Sequence, residues 1–193
     1  RGSLGHDAEG MNGWKKAGRG GKLRLAGTFD PQEAAVLRGL VGEVRQMLAG
    51  RSAENPADEL AVLTGMRTGP STRPDDRVLA RLLPDFSTED PELSAGMRSL
   101  HEPELIEAKD EAAALVLDTL PESGGRVELT PEQADTWLAA LNDVRLALGT
   151  ALDVSEEMPE ELPADDPRAA HLGVYHWLTF VQDSLVMARM QVR

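Results

Sequence analysis

The chain has 193 residues, 41% hydrophobic but only 4% aromatic, with a formal net charge of −13 at pH 7 and no cysteine. That length suits one domain, and a core drawn mainly from Leu, Val and Ala favours packed helices over a β-sandwich. Disulfides, cysteine-ligated zinc and thiol catalysis are excluded within these residues, and the acidic balance opposes nucleic acid or an anionic membrane as partner of the whole body.

Residues 1–10 begin Arg1-Gly2-Ser3 and precede the first methionine, Met11. They are expected to be an expression remnant outside the fold, with Met11 the natural start. The next stretch, 11–25, holds Lys15, Lys16, Arg19, Lys22 and Arg24 and no acid. An acidic body with a mobile, basic N-terminal arm is therefore expected, and the arm alone keeps direct nucleic-acid contact open. Its Gly20-Gly21-Lys22 is not a phosphate loop, because that motif needs glycine where Lys16 stands and a hydroxyl where Leu23 stands.

Alternation over 22–25 predicts a short strand burying Leu23 and Leu25. A helix is predicted over 31–49. Asp30 caps it, Pro31 suits its first turn and Glu33 completes a capping box, while Leu37, Leu40, Val41, Val44, Met47 and Leu48 share one face. Glycines and prolines break any period over 50–77, which is expected to be a mobile loop. A short helix over 77–83 stops at Pro84, and Asp90-Pro91 opens another over 91–101. Pro103 cannot donate to residue 99, so that helix either kinks or restarts before an amphipathic run over 104–120, which ends at Pro121 and Gly124-Gly125.

Residues 126–129 repeat the earlier design, with Thr130, Pro131 and Gln133 in the roles of Asp30, Pro31 and Glu33. Neither strand is stable alone, so 22–25 and 126–129 are expected to pair as a ribbon. A helix over 131–149 follows, with Gly149 near its end. Then 153–167 carries Asp153, Glu156, Glu157, Glu160, Glu161, Asp165, Asp166 and three prolines, which predicts a mobile, solvated acidic loop. A last helix over 168–190 turns Leu172, Trp177, Leu178, Val181, Leu185 and Ala188 inward. The expected fold class is mostly α: a helical bundle with a minor two-stranded β-ribbon, in one domain over 11–193. No apolar run reaches the roughly 18 residues of a membrane span and no signal peptide is visible, so the expected location is cytoplasmic, with no membrane partner.

One polar cluster interrupts the apolar helix over 137–149: Asn142, Asp143 and Arg145. Structurally, Arg145 would pair with an acid on a neighbouring helix and Asn142 would tie down a backbone group. Functionally, the three are the candidate partner or ligand site, with Arg81 or Arg98 as further anion contacts. A deep pocket holding Arg145 and a second buried charge favours an enzyme or small-ligand binder; a flat or grooved surface favours a protein partner. No catalytic, cofactor or metal constellation appears. His171 and His176 are five apart, about 140° around a helix, and His101 beside Glu102 and Glu104 gives no three converging ligands.

Four segments together carry a resemblance: GWKKAGRGGKLRLAGTFDPQEAAVLRGLVGEV, RLLPDFSTEDPELSAGMR, WLAALNDVRLALGTALDV and YHWLTFVQDSLV. They resemble the actinobacterial family of uncharacterised domains associated with AosR-type oxidative-stress regulators, with LNDVRLALG and YHWL the most specific parts. The resemblance implies a cytoplasmic, non-enzymatic regulator working through protein contacts, with the transcription machinery as the partner class; a homodimer stays open. The family's gene neighbourhood, which includes the Clp protease adaptor, leaves a role in regulated proteolysis as an alternative. A thiol switch cannot be carried over to a chain without cysteine, so any direct response to oxidant would fall on exposed methionines.

Overall fold

A computed structural model describes residues 11–18, 23–54 and 68–192. The expected N-terminal remnant, Arg19 and Lys22 of the basic arm, and residues 55–67 of the expected loop lie outside the described residues. The chain runs β1 (Lys15–Ala17), β2 (Arg24–Phe29), α1 (Pro31–Ala53), α2 (Arg77–Leu82), α3 (Pro91–Thr119), β3 (Gly125–Leu129), α4 (Pro131–Ala151) and α5 (Ala169–Met190). The fold is mostly α with a minor β element, as composition and periodicity predicted.

The β element is one strand larger than the expected ribbon. β2 pairs antiparallel with β3, Leu25 opposite Leu129 and Phe29 opposite Gly125, and β1 adds to the other edge of β2 with Lys16 opposite Leu25. The strand expected over 22–25 lies further along because Leu25, Gly27 and Phe29 are the buried alternation, and Gly27 hides that pattern in the sequence. A Cβ at Gly27 would stand 3.0 Å from the Trp14 ring, so glycine lets the N-terminal segment lie flat on the sheet.

Residues 11–17, expected to be mobile, are therefore held. Met11 and Trp14 are buried, and the Met11 N–H donates to Glu33 Oε1 at 2.8 Å. Trp14 meets Phe29 and Trp137 edge-on, with centroids 5.9 and 5.3 Å apart, and Phe29 meets Trp177 at 6.4 Å. All three tryptophans thus gather in one cluster, in geometries that the ring quadrupoles favour. Glu33 completes the capping box with Asp30 and also accepts from Trp177 Nε1 at 3.2 Å. One carboxylate so fixes the start of α1, the N-terminal segment and α5.

The helices are longer than pattern alone predicts. α1 continues through Gly50 to Ala53 because Arg51 is buried and ion-paired to α3. α3 does not restart at Pro103 but runs through it as one helix. The Ser99 carbonyl that Pro103 leaves without a donor accepts the Gly69 N–H at 2.8 Å, and Ser99 Oγ donates to the Gly69 carbonyl at 3.1 Å. A Cβ on Gly69 would come within 3.1 Å of Pro103 Cγ, so glycine lets this outside donor approach the proline closely. α4 passes Gly149 and ends in a Schellman turn, with the Val154 N–H on the Gly149 carbonyl at 2.9 Å and Asp153 at φ 56°. Gly149 sits inside the helix because the Tyr175 ring lies where its Cβ would be.

α3 packs between α1 and α4, and α4 also contacts α2 and α5. Arg38 donates to the Leu117 and Leu120 carbonyls at 2.7 Å each, satisfying the end of α3. Arg45 holds Asp110 through two hydrogen bonds of 2.6 and 2.9 Å.

Two outcomes follow from this packing. Gly124 has φ +73°, and a Cβ there would lie 2.6 Å from the Asp30 carbonyl carbon; at Gly39 nothing lies within 4 Å. Urea unfolding is expected to show Gly124→Ala losing about 2 kcal/mol or more, and Gly39→Ala gaining about 0.5–1 kcal/mol. The hydrogen bonds from Arg45 hold the Asp110 carboxyl below the ordinary carboxylate range. Asp110 is partly exposed, so the gap between the wild type and Asp110→Asn should reach only a few tenths to about 1 kcal/mol. It should be full above the unfolded carboxylate range and close as pH falls through the lowered value.

Candidate functional site

The polar residues singled out along the sequence divide between three environments. Arg98, a candidate anion contact, is 1% exposed and structural. Its guanidinium donates to Glu102 Oε2 at 2.5 Å, Asp85 Oδ1 at 2.8 Å and the Leu83 and Pro84 carbonyls at 3.1 and 3.3 Å. Arg51 meets the other oxygen of Glu102 at 2.6 Å, binds Glu54 at 2.5 Å and also donates to the Thr72 carbonyl. Burial opposes the charge on Arg51, but its hydrogen bonds to Glu102 and Glu54 outweigh that, and its pKa is raised. An arginine buried with both terminal nitrogens engaged is not open to a ligand, so Arg98 leaves the candidate site.

The trio on α4 separates as well. Asp143 is buried and accepts from Lys109 Nζ of α3 at 2.6 Å. It is therefore Asp143, rather than Arg145, that pairs with a neighbouring helix. Asn142 is half-buried, and its side chain takes no hydrogen-bond partner among the described residues, so the expected backbone tie is not made. Arg145, half-buried, points instead into a cleft of about 460 Å³ that it shares with Arg81 of α2. These two were expected at one site, and the fold brings them to one cleft.

The cleft adds residues that the sequence reading missed. Arg77 lines it four residues before Arg81 on α2, and its guanidinium donates to Asp153 Oδ1 and to the Thr150 carbonyl at the open end of α4. Ser155 and Tyr175 complete the far wall. The i, i+4 spacing of Arg77 and Arg81 was the available signal, since it puts both on one face of a helix. Neither Arg81 nor Arg145 has an ion pair or hydrogen-bond partner among the described residues.

A second surface is apolar. On α5, Phe180, Met187 and Met190 are 47%, 60% and 58% exposed. With Asp183 they recur at i, i+3, i+7 and i+10, a heptad-spaced stripe on the helix face turned from the core. The basic arm is less of a unit than its sequence implied. Lys15 and Lys16 lie on the edge strand β1, where Lys16 Nζ donates to the Gln191 carbonyl at 3.4 Å, and Arg24 donates to the adjoining Leu23 carbonyl at 2.8 Å. His176 is engaged with the Glu160 carbonyl at 3.1 Å, which holds part of the acidic 153–167 stretch against α5. Among the described residues no group of three or more histidines, cysteines or acids could hold a metal ion, and no helix is long and apolar enough to cross a membrane.

Residues 11–189 match the family model described as Domain of unknown function (DUF2017). The chain is 45% identical over 190 residues to the "Putative oxidative stress regulator AosR" of Mycobacterium leprae, covering 92% of this chain and 88% of that protein. It is 44% identical over 193 residues to the "Oxidative stress regulator AosR" of Mycobacterium tuberculosis and of Mycobacterium bovis, covering 93% of this chain and 88% of each. No solved structure matches it.

The buried network and the open cleft respond differently to substitution. Glu102→Gln removes the buried carboxylate that two buried guanidinium groups share, leaving them only the more exposed Asp85 and Glu54, and is expected to cost about 3 kcal/mol in chemical unfolding. Arg81→Gln, at an exposed position with no ion pair among the described residues, should stay within about 0.5 kcal/mol of the wild type. Equal losses at the two positions would contradict this division.

Proposed function

The chain belongs to the DUF2017 family, and we propose that it is a non-enzymatic regulator of the response to oxidative stress, acting in the cytoplasm through contact with a protein of the transcription machinery. The observation that carries this reading is the 44–45% identity, across most of both chains, to proteins named oxidative stress regulators.

Two physical features support action through a protein. The net charge of −13 repels the phosphate backbone from the body as a whole, which disfavours direct reading of DNA. The α5 stripe offers apolar side chains at helical spacing, the pattern by which one helix docks on another. Signal reception needs a route other than thiol chemistry. In this chain it is either relayed by the partner or carried by exposed thioethers, of which Met187 and Met190 are the most open among the described residues.

The reading is tested by deleting the gene, challenging the cells with hydrogen peroxide and comparing transcripts. Loss of part of the peroxide response, restored by the wild-type chain, is expected. A double variant, Met187→Lys with Met190→Lys, should keep the wild-type melting temperature, because both side chains are exposed and lie near the C-terminus of α5, yet fail to restore the response or retain the co-purified transcription protein. An unchanged transcript profile in the deletion strain would sink the regulatory assignment. Full rescue by the double variant would remove the α5 face as the contact surface.

A further inference from the structure

We propose that the cleft between α2 and α4 binds a phosphate monoester, held by Arg81 and Arg145. The inference starts from an imbalance of charge that the fold itself does not resolve. Acids outnumber Lys and Arg by 33 to 20 in this chain, and the arginines that serve structure are paired: Arg38, Arg45, Arg51, Arg98, Arg168 and Arg189 each meet a carboxylate. Around this cleft the ratio is reversed. Three guanidinium groups surround it, one carboxylate lies among them, and that carboxylate, Asp153, is taken by Arg77.

What remains is a net charge near +2 on Arg81 and Arg145, with no partner for either among the described residues. Like charges gathered at such a place repel, and Arg77 and Arg81 at i, i+4 on a short helix repel as well. An entering dianion removes that cost. A phosphate monoester carries about −1.5 to −2 charges at neutral pH, which matches the free charge, and its oxygens suit the planar donor fork of arginine.

The geometry separates the roles. Arg77 is the positioning residue: its bonds to the Thr150 carbonyl and Asp153 tie α2 to the end of α4 and hold the rim, at a backbone position, Asp153, with φ 56°. Arg81 and Arg145 come from different helices, so an anion between them is gripped from two sides. The Tyr175 ring, packed where a Gly149 side chain would be, forms a wall beside them. A volume of about 460 Å³ lies within the range of small-ligand sites. The ester could come from a free small molecule or from a phosphorylated side chain of another protein; the anchoring chemistry is the same.

The test uses the full chain and three probes: inorganic phosphate, glycerol 3-phosphate and a phosphoserine pentapeptide, each titrated against sodium chloride of equal ionic strength by calorimetry and by NMR of the arginine Nε–H groups. Saturable binding of phosphate with shifts at Arg81 and Arg145 is expected. Arg81→Gln and Arg145→Gln should each weaken it about tenfold or more, the loss of one charge-assisted contact. Arg126→Gln, which removes a positive charge from the sheet instead, should leave it unchanged. Tighter binding of glycerol 3-phosphate assigns a small molecule, and tighter binding of the peptide assigns a protein side chain. No saturable binding of any probe, or binding that survives both cleft variants, overturns the proposal. If Arg145→Gln does not fold, the exposed Arg81→Gln carries the test alone. None of these outcomes bears on the regulatory reading, which does not use this cleft.

Discussion

Moving the Glu102 carboxylate out of water costs several kcal/mol unless opposite charge comes with it, and the fold supplies two guanidinium groups, one to each oxygen. The consequences spread through the backbone. Arg51 is drawn in from the end of α1, so that helix runs past a glycine where local preference would stop it. Arg98 binds the carbonyls of Leu83 and Pro84 directly after α2, which fixes where that short helix ends. The position of Arg77 and Arg81 over α4 thus depends on a buried ion pair that neither of them touches. The same network reaches the Thr72 carbonyl, close to the Gly69 that supplies the missing donor for α3. One buried carboxylate therefore organises α1, α2, α3 and the segment that leads into α2.

The other end of the molecule is held by apolar contact instead. Trp14, Phe29, Trp137 and Trp177 come from the N-terminal segment, β2, α4 and α5, and their rings meet in one cluster. With aromatics at 4% of the chain, concentrating four of them in one place gives the small sheet a substantial apolar anchor despite its short strands. Trp137 Nε1 reaches Thr119 Oγ1 at 2.9 Å and Trp177 Nε1 reaches Glu33, so two of the indoles also place helix termini.

Helix starts were the most legible part of the chain, because Asp30 with Glu33 and Thr130 with Gln133 are local devices whose hydrogen bonds close within one turn. Pairing of the two strand segments was legible too, though shifted, since Gly27 conceals the alternation that the Trp14 ring requires. Helix ends were not, because what extends α1 and carries α3 across Pro103 comes from residues distant in sequence: Glu102 for the first and Gly69 for the second. The same limit governed the candidate site. A charged residue looks solvated in a sequence pattern, so nothing marked Arg98 as core, and the choice between Asp143 and Arg145 as the partner of α3 turned on Lys109, 34 positions away. The apolar stripe on α5 was hidden for a different reason: its spacing is as helical as that of the core face, and only burial tells the two apart.

Net charge argues against polyanions here, but its reach is limited. At physiological ionic strength a charge is felt over about 8 Å, so a ligand seated between Arg81 and Arg145 responds mainly to the groups that line the cleft. A nucleic acid must lay many phosphates across the acidic exterior and meets repulsion along most of its length. A single monoester meets only the local field, which at Arg81 and Arg145 is positive. The acidity of the body and the basicity of this cleft are therefore compatible, and together they select for a small or isolated dianion over an extended one.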